Sequence, residues 1–138
     1  MIVLDDRYGY DINLKQLESI KERLTQKEIE LIFVKSDEML QINEKFRKIK
    51  SPTDVLSFPL TDMPNCPLGT VIINIDKVKE VSKELGHQKD DELKLLFIHG
   101  LLHLLGFDHE KDNGEMLEKE RELIKELKLP KSLILRSV

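Results

Sequence analysis

A chain of 138 residues, 40% hydrophobic and 35% charged, is long enough to bury one sizeable core and too apolar to be disordered. Its formal net charge of −4 excludes a surface coated in positive potential, as a non-specific nucleic-acid binder would carry, and leaves room only for a local basic patch. No apolar run approaches the roughly 20 residues of a membrane span, and the single cysteine, Cys66, excludes an internal disulfide and suits a reducing cytoplasm.

In chain order, Ile2-Val3-Leu4 is expected as a first strand, followed by acids where a secretory leader would carry basic residues. Asn13, with Gln16 three residues on, predicts a capped helix whose inner face is Leu14, Leu17, Ile20 and Leu24. Glu28 to Val34 reads as a strand. Ser36 opens a helix with Met39, Ile42 or Asn43, and Phe46 inward. At its end Lys45, Arg47, Lys48 and Lys50 form a short basic run with no acid among them. Such a run reads either as cations complementing the helix dipole or as a local anion-binding patch.

The segment SPTDVLSFP, Ser51 to Pro59, holds a short β-prone run bracketed by prolines, which places it at a sheet edge. Thr61 to Pro67 reads as a loop, and Gly69 to Ile75 is the strongest strand signal. Asp76 is expected to cap a helix with Val78, Val81 and Leu85 inward, ending near Gly86; His87 beyond it reads as a solvated surface residue. Asp90 to Leu105 is apolar on almost every side past Leu93 and is expected as a buried central helix. Asp112, with Glu115 three residues on, caps a last helix with Met116, Leu117, Leu123, Ile124 and Leu127 inward. No linker or repeat divides 1–138. The expectation is one α+β domain, a small mixed sheet of about four strands packed with helices around the central one.

Three of the four histidines stand in HGLLHLLGFDH, His99 to His109. His99 and His103 are four apart and share a helical face. Gly106 can end the helix in the left-handed conformation, and the turn behind it can return His109 toward the other two. Three imidazoles with helical spacing and a hinge make a metal chelate. Three protein nitrogens leave one tetrahedral position open, the mark of a catalytic rather than a structural ion. Cys66 could close it, though nothing in its loop recommends that. One Zn2+ is the expected ion, with other divalent transition metals acceptable to imidazole.

The spacing matches the long metalloprotease signature HExxHxxGxxH, giving a metzincin-like site geometry. Where that signature keeps its general-base Glu, this chain has Gly100. A peptidase or amidase would need its base elsewhere. Phosphodiester hydrolysis asks for an ion and a cation on the non-bridging oxygens, and Arg47 is the natural candidate for that cation.

These residues carry a resemblance. HGLLHLLGFDH, the Asn43-to-Arg47 segment, Ser51 to Pro59 and Leu68-Gly69 are similar, in order and spacing, to the motifs of the YbeY family of metal-dependent, single-strand endoribonucleases. The resemblance implies metal ligands at His99, His103 and His109 and a functional arginine at Arg47, with Asp54 and Ser57 as candidate groove residues. It implies a cytoplasmic zinc-dependent endoribonuclease on single-stranded ribosomal RNA, acting in 16S rRNA 3′-end maturation and ribosome quality control with the small subunit as partner. No membrane or DNA partner is expected. One departure is Thr70, where many members carry Asp; Asp54, Asp108 or Glu110 would then supply the acid. The competing readings are a metal-dependent peptidase or amidase and a non-catalytic, ribosome-associated metal-binding module.

Overall fold

The computed structural model describes residues 1–60, 66–108 and 110–129. The elements run β1 (Ile2–Asp5), α1 (Leu14–Glu22), β2 (Ile29–Val34), α2 (Ser36–Arg47), β3 (Val55–Pro59), β4 (Gly69–Asn74), α3 (Ile75–Leu85), α4 (Lys89–Leu104) and α5 (Glu115–Leu127). The four strands form one mixed sheet in the order β1-β2-β4-β3, parallel except for β3. The central strands β2 and β4 are covered on both faces, which is why IELIFV and GTVIIN are near-continuously apolar. The proline-bracketed β3 lies at an edge, as its composition requires.

Alternation along the strands divides the core. Leu31, Phe33, Val71 and Ile73 face the larger cluster, built around Leu93, Leu96, Phe97, Leu101 and Met116. Val34, Leu56 and Ile72 face the opposite side and pack on Met39 of α2. The sheet thus lies between α4 and α2, and β3 contributes to both faces. Among the described residues, no helix is long and apolar enough to cross a membrane.

Helix α4 is buried along almost its whole length because it packs on β3, β4 and three other helices. Gly100 makes the closest approach. A Cβ there would stand 2.8 Å from Val71 Cγ1, 3.1 Å from Val55 Cγ2 and 3.2 Å from Ser57 Oγ. The Ser57 hydroxyl donates to the Gly100 carbonyl at 2.8 Å, fastening β3 to the helix. Position 100 therefore faces the sheet, and the side chain a protease would carry there has no room. Gly106 follows α4 at φ +99°, and Phe107 N–H bonds back to the Leu102 carbonyl at 3.1 Å, so the glycine stop is where its spacing put it.

Several local expectations are corrected. Asn13 makes no side-chain cap; the first turn is closed by Gln16 N–H to the Asn13 carbonyl. Asn74, rather than Asp76, caps α3 by accepting from Asp76 N–H and Lys77 N–H, so Ile75 is helical. Asp76 instead accepts from the Ser36 N–H across 40 residues. His87 is not a free surface ring: its Nε2 lies 2.8 Å from Oε1 of Glu92, which is 1% exposed. Phe46, expected inward, is 61% exposed, whereas Met39 and Asn43 on the same helix are buried.

Replacing Gly100 by Ala sets a helix-propensity gain of up to about 1 kcal/mol against overpacking of about 1–3 kcal/mol. The expected outcome is a net loss of about 1 kcal/mol in unfolding free energy, read in a urea titration; unchanged or increased stability would refute the close-approach argument.

Candidate active site

The last two turns of α4 bring His99 and His103 together, with ring centroids 4.7 Å apart and Nε2 atoms 3.2 Å apart. Their other nitrogens decide which way the lone pairs point. His103 Nδ1 is 3.0 Å from the Phe107 carbonyl, which can only accept, so Nδ1 carries the proton and a neutral ring leaves Nε2 bare. His99 Nδ1 lies 3.4 Å from Oε2 of Glu120 on α5, an ion-pair approach rather than a tight hydrogen bond. That carboxylate is 1% exposed, and among the described residues neither its Oε2 nor His99 Nδ1 makes a hydrogen bond, so an acceptor stands behind the ring without a formed bond.

The two Nε2 atoms face each other at 3.2 Å, a separation at which one ring can donate to the other or a single cation can join both. Two imidazoles bound to one tetrahedral ion at 2.0–2.1 Å place their nitrogens about 3.3–3.4 Å apart. The donor set fits a borderline-soft divalent metal, backed on one side by a buried carboxylate and on the other by a backbone carbonyl. His109, the third expected ligand, lies outside the described residues.

The histidines open onto a cleft of about 530 Å³ that also takes in Arg47, Asp54, Ser57, Phe58 and Glu110. Residues separated by half the chain thus meet: Arg47 from the end of α2, Asp54 from the loop before the edge strand, Val55 to Phe58 from that strand, and Glu110 from the turn after α4. Two buried amides hold the intervening loop. Asn43 Nδ2 donates to the Ser51 carbonyl at 2.7 Å, and Asn74 Nδ2 donates to the Thr53 carbonyl at 3.1 Å. The Asn74 N–H also donates to the Asp54 carbonyl at 2.9 Å. Arg47 and Asp54 therefore face the histidines from a pinned segment rather than a loose one.

A family model described as Endoribonuclease YbeY matches residues 10–128. The chain belongs to the YbeY family. The Endoribonuclease YbeY of Nautilia profundicola is 53% identical over 137 residues, covering 99% of each chain. That of Campylobacter jejuni is 54% identical, covering 100% of this chain and 98% of its own. Among solved structures, the solution structure of TM1509 from Thermotoga maritima superposes with a TM-score of 0.65 at 34% identity, covering 92% of this chain and 89% of that one.

Within that family frame, the sequence-derived candidates separate cleanly. His99, His103, Arg47, Asp54 and Ser57 share one cleft with Glu110, whereas Asp108 does not line it and accepts from the Glu110 N–H at 3.1 Å. Ser57 is committed to the Gly100 carbonyl. Thr70 lies on a strand between Phe58 and Glu30, with its hydroxyl donating to Glu30 Oε1 at 3.0 Å. Its alternation with Val71 puts it on the sheet face away from α4, so the departure at position 70 leaves the histidines untouched. Cys66 lines a different cleft, with Gln26, Glu28 and Pro67, and does not close the histidine pair.

Sequence reasoning missed Glu120. The signal was there: it stands four residues after Met116 and three before Leu123, both buried, so the helix period puts a carboxylate on an apolar face. A buried acid at a core position needs a partner. Asn43 had been weighed only as an inner-face alternative to Ile42.

Asn43→Ala removes a buried side chain and its hydrogen bond to the Ser51 carbonyl. The expected loss is about 1–3 kcal/mol of unfolding free energy in chemical denaturation; a change below a few tenths would mean the loop is not pinned there.

Proposed function

We propose that this protein is a zinc-dependent endoribonuclease that hydrolyses phosphodiester bonds of single-stranded RNA, with His99, His103 and His109 as the metal ligands. The observation that carries the reading is the pair of facing Nε2 atoms, 3.2 Å apart, in a cleft that also holds Arg47. When bound, the ion supplies Lewis acidity, lowering the pKa of water toward 7 and drawing charge off a phosphate oxygen.

The chain's own residues do the rest. Arg47 presents a planar, permanently charged fork to two non-bridging phosphate oxygens and stabilises the charge that develops on them. Asp54 and Glu110 are the carboxylates on the cleft wall able to take a proton from the attacking water. Ser57 holds β3 against α4 and so sets the width of the groove. Glu120 orients His99, and the Phe107 carbonyl orients His103. Gly100 speaks against the peptidase reading, because no base can be placed after the first histidine without striking the sheet.

The cellular reading follows the family. The protein works in the cytoplasm as a single domain on ribosomal RNA, at the 3′ end of 16S rRNA on the small subunit, and its support is the family's motifs together with the acidic chain's local basic run.

A labelled single-stranded RNA is expected to be cleaved by the purified protein and spared after chelation, with casein untouched in both cases. His103→Ala should abolish cleavage, and Arg47→Ala should lower kcat about 10²–10³-fold, the size of one oriented donor on a developing anion. Cleavage surviving both substitutions would overturn the assignment. Glu120→Gln should weaken metal binding about 10–100-fold in a chromophoric-chelator competition, since the partner of a ligating imidazole tunes its basicity and orientation. Unchanged affinity would reduce Glu120 to a packing residue.

A further inference from the structure

Phe46 is an expensive residue to leave in water. It occupies the last turn of α2, on the side of that helix that buries Met39 and Asn43, yet 61% of it is exposed. It is nevertheless held in place. Its ring packs edge-on against Phe58, with centroids 5.6 Å apart and planes at 66°. Phe58 lies on the edge strand and lines the histidine cleft, as does Arg47, the residue after Phe46. The Lys45 ammonium stands 5.3 Å from the Phe46 ring centre, and exposed Lys48 and Lys50 follow with no acid between them. An exposed aromatic ring, propped on a cleft-lining phenylalanine and set among cations beside the cleft-lining Arg47, has the composition of a stacking platform for nucleic acid.

We propose that Phe46 stacks on an unpaired nucleobase flanking the phosphate held by Arg47, and that this contact selects single-stranded over double-stranded RNA. The proposal rests on the endoribonuclease reading and adds the residue that recognises the substrate's form. In a duplex both faces of each base are already stacked, so no face is free to meet the ring; in a single strand the base can turn out onto it. Stacking accepts any base, because every base has a π-face, while Lys48 and Lys50 attract the phosphates on either side. Neither contact asks for a basic surface overall, consistent with a chain of net charge −4.

The test uses the full chain and binding with the metal chelated, so that cleavage does not interfere. Phe46→Ala and Phe46→Leu should weaken binding of a short single-stranded RNA about tenfold, and Phe46→Trp should preserve it. The chain contains no tryptophan, so the emission of the Phe46→Trp variant reports this position alone. It should be quenched by single-stranded RNA, and unaffected by the duplex or by an oligonucleotide with abasic riboses beside the bound phosphate. Equal affinities for wild type and both truncations, or an emission that ignores an oligonucleotide the loaded enzyme cleaves, would overturn the stacking role while leaving the nuclease reading intact. A quench that survives abasic substitution would also overturn it, assigning the ring to backbone contact. A loaded, folded wild type that neither binds nor cleaves RNA would remove both.

Discussion

At Gly100, helix α4 lies so near the sheet that one added methyl group would stand 2.8 Å from Val71 Cγ1 and 3.1 Å from Val55 Cγ2. The site depends on that approach. It lets the Ser57 hydroxyl reach the Gly100 carbonyl, it holds the edge strand against the helix, and it leaves the preceding residue, His99, on the cleft. A helix standing further off would separate the imidazoles from the edge strand and from Asp54 just before it. The same contact explains the missing protease base: position 100 is consumed by packing.

The imidazoles are aimed from behind. His99 meets a carboxylate on α5 and His103 a carbonyl at the helix end, and both partners are acceptors. An acceptor behind each ring favours the tautomer with its proton on Nδ1 and its Nε2 lone pair toward the neighbouring ring. The buried Glu120 stands behind one of these rings, where an isolated carboxylate in an apolar core would be strongly unfavourable. The YbeY family match covers the span that holds both histidines.

The opposite wall is built on different terms. Buried amides Asn43 and Asn74 secure the segment between α2 and β3, each donating to a loop carbonyl, at Ser51 and at Thr53. That leaves Arg47 projecting from a firm base and Phe46 beside it, propped by Phe58. Arg47 and the histidine pair share the cleft beside β3, which among the described residues is an edge strand.

Much of this was written locally in the chain. The i, i+4 spacing of His99 and His103, the glycine stop at Gly106, the proline-bracketed edge strand and the buried period of α4 depend on near neighbours and on intrinsic residue chemistry, so the sequence by itself determined them. Capping was legible only to within a residue or two, since Asn74 and Asp76 are both good caps and a distant Ser36 decided between them. Only the tertiary structure decided that Glu120 stands behind His99, that Arg47 and Asp54 face the same cleft, that Thr70 points away from it, and that Phe46 is left in solvent. Each of those is a contact or a choice of sheet face between segments far apart in the chain. Local periodicity says which residues want partners; the packing of α4 and α2 on opposite faces of one sheet says which partners they meet.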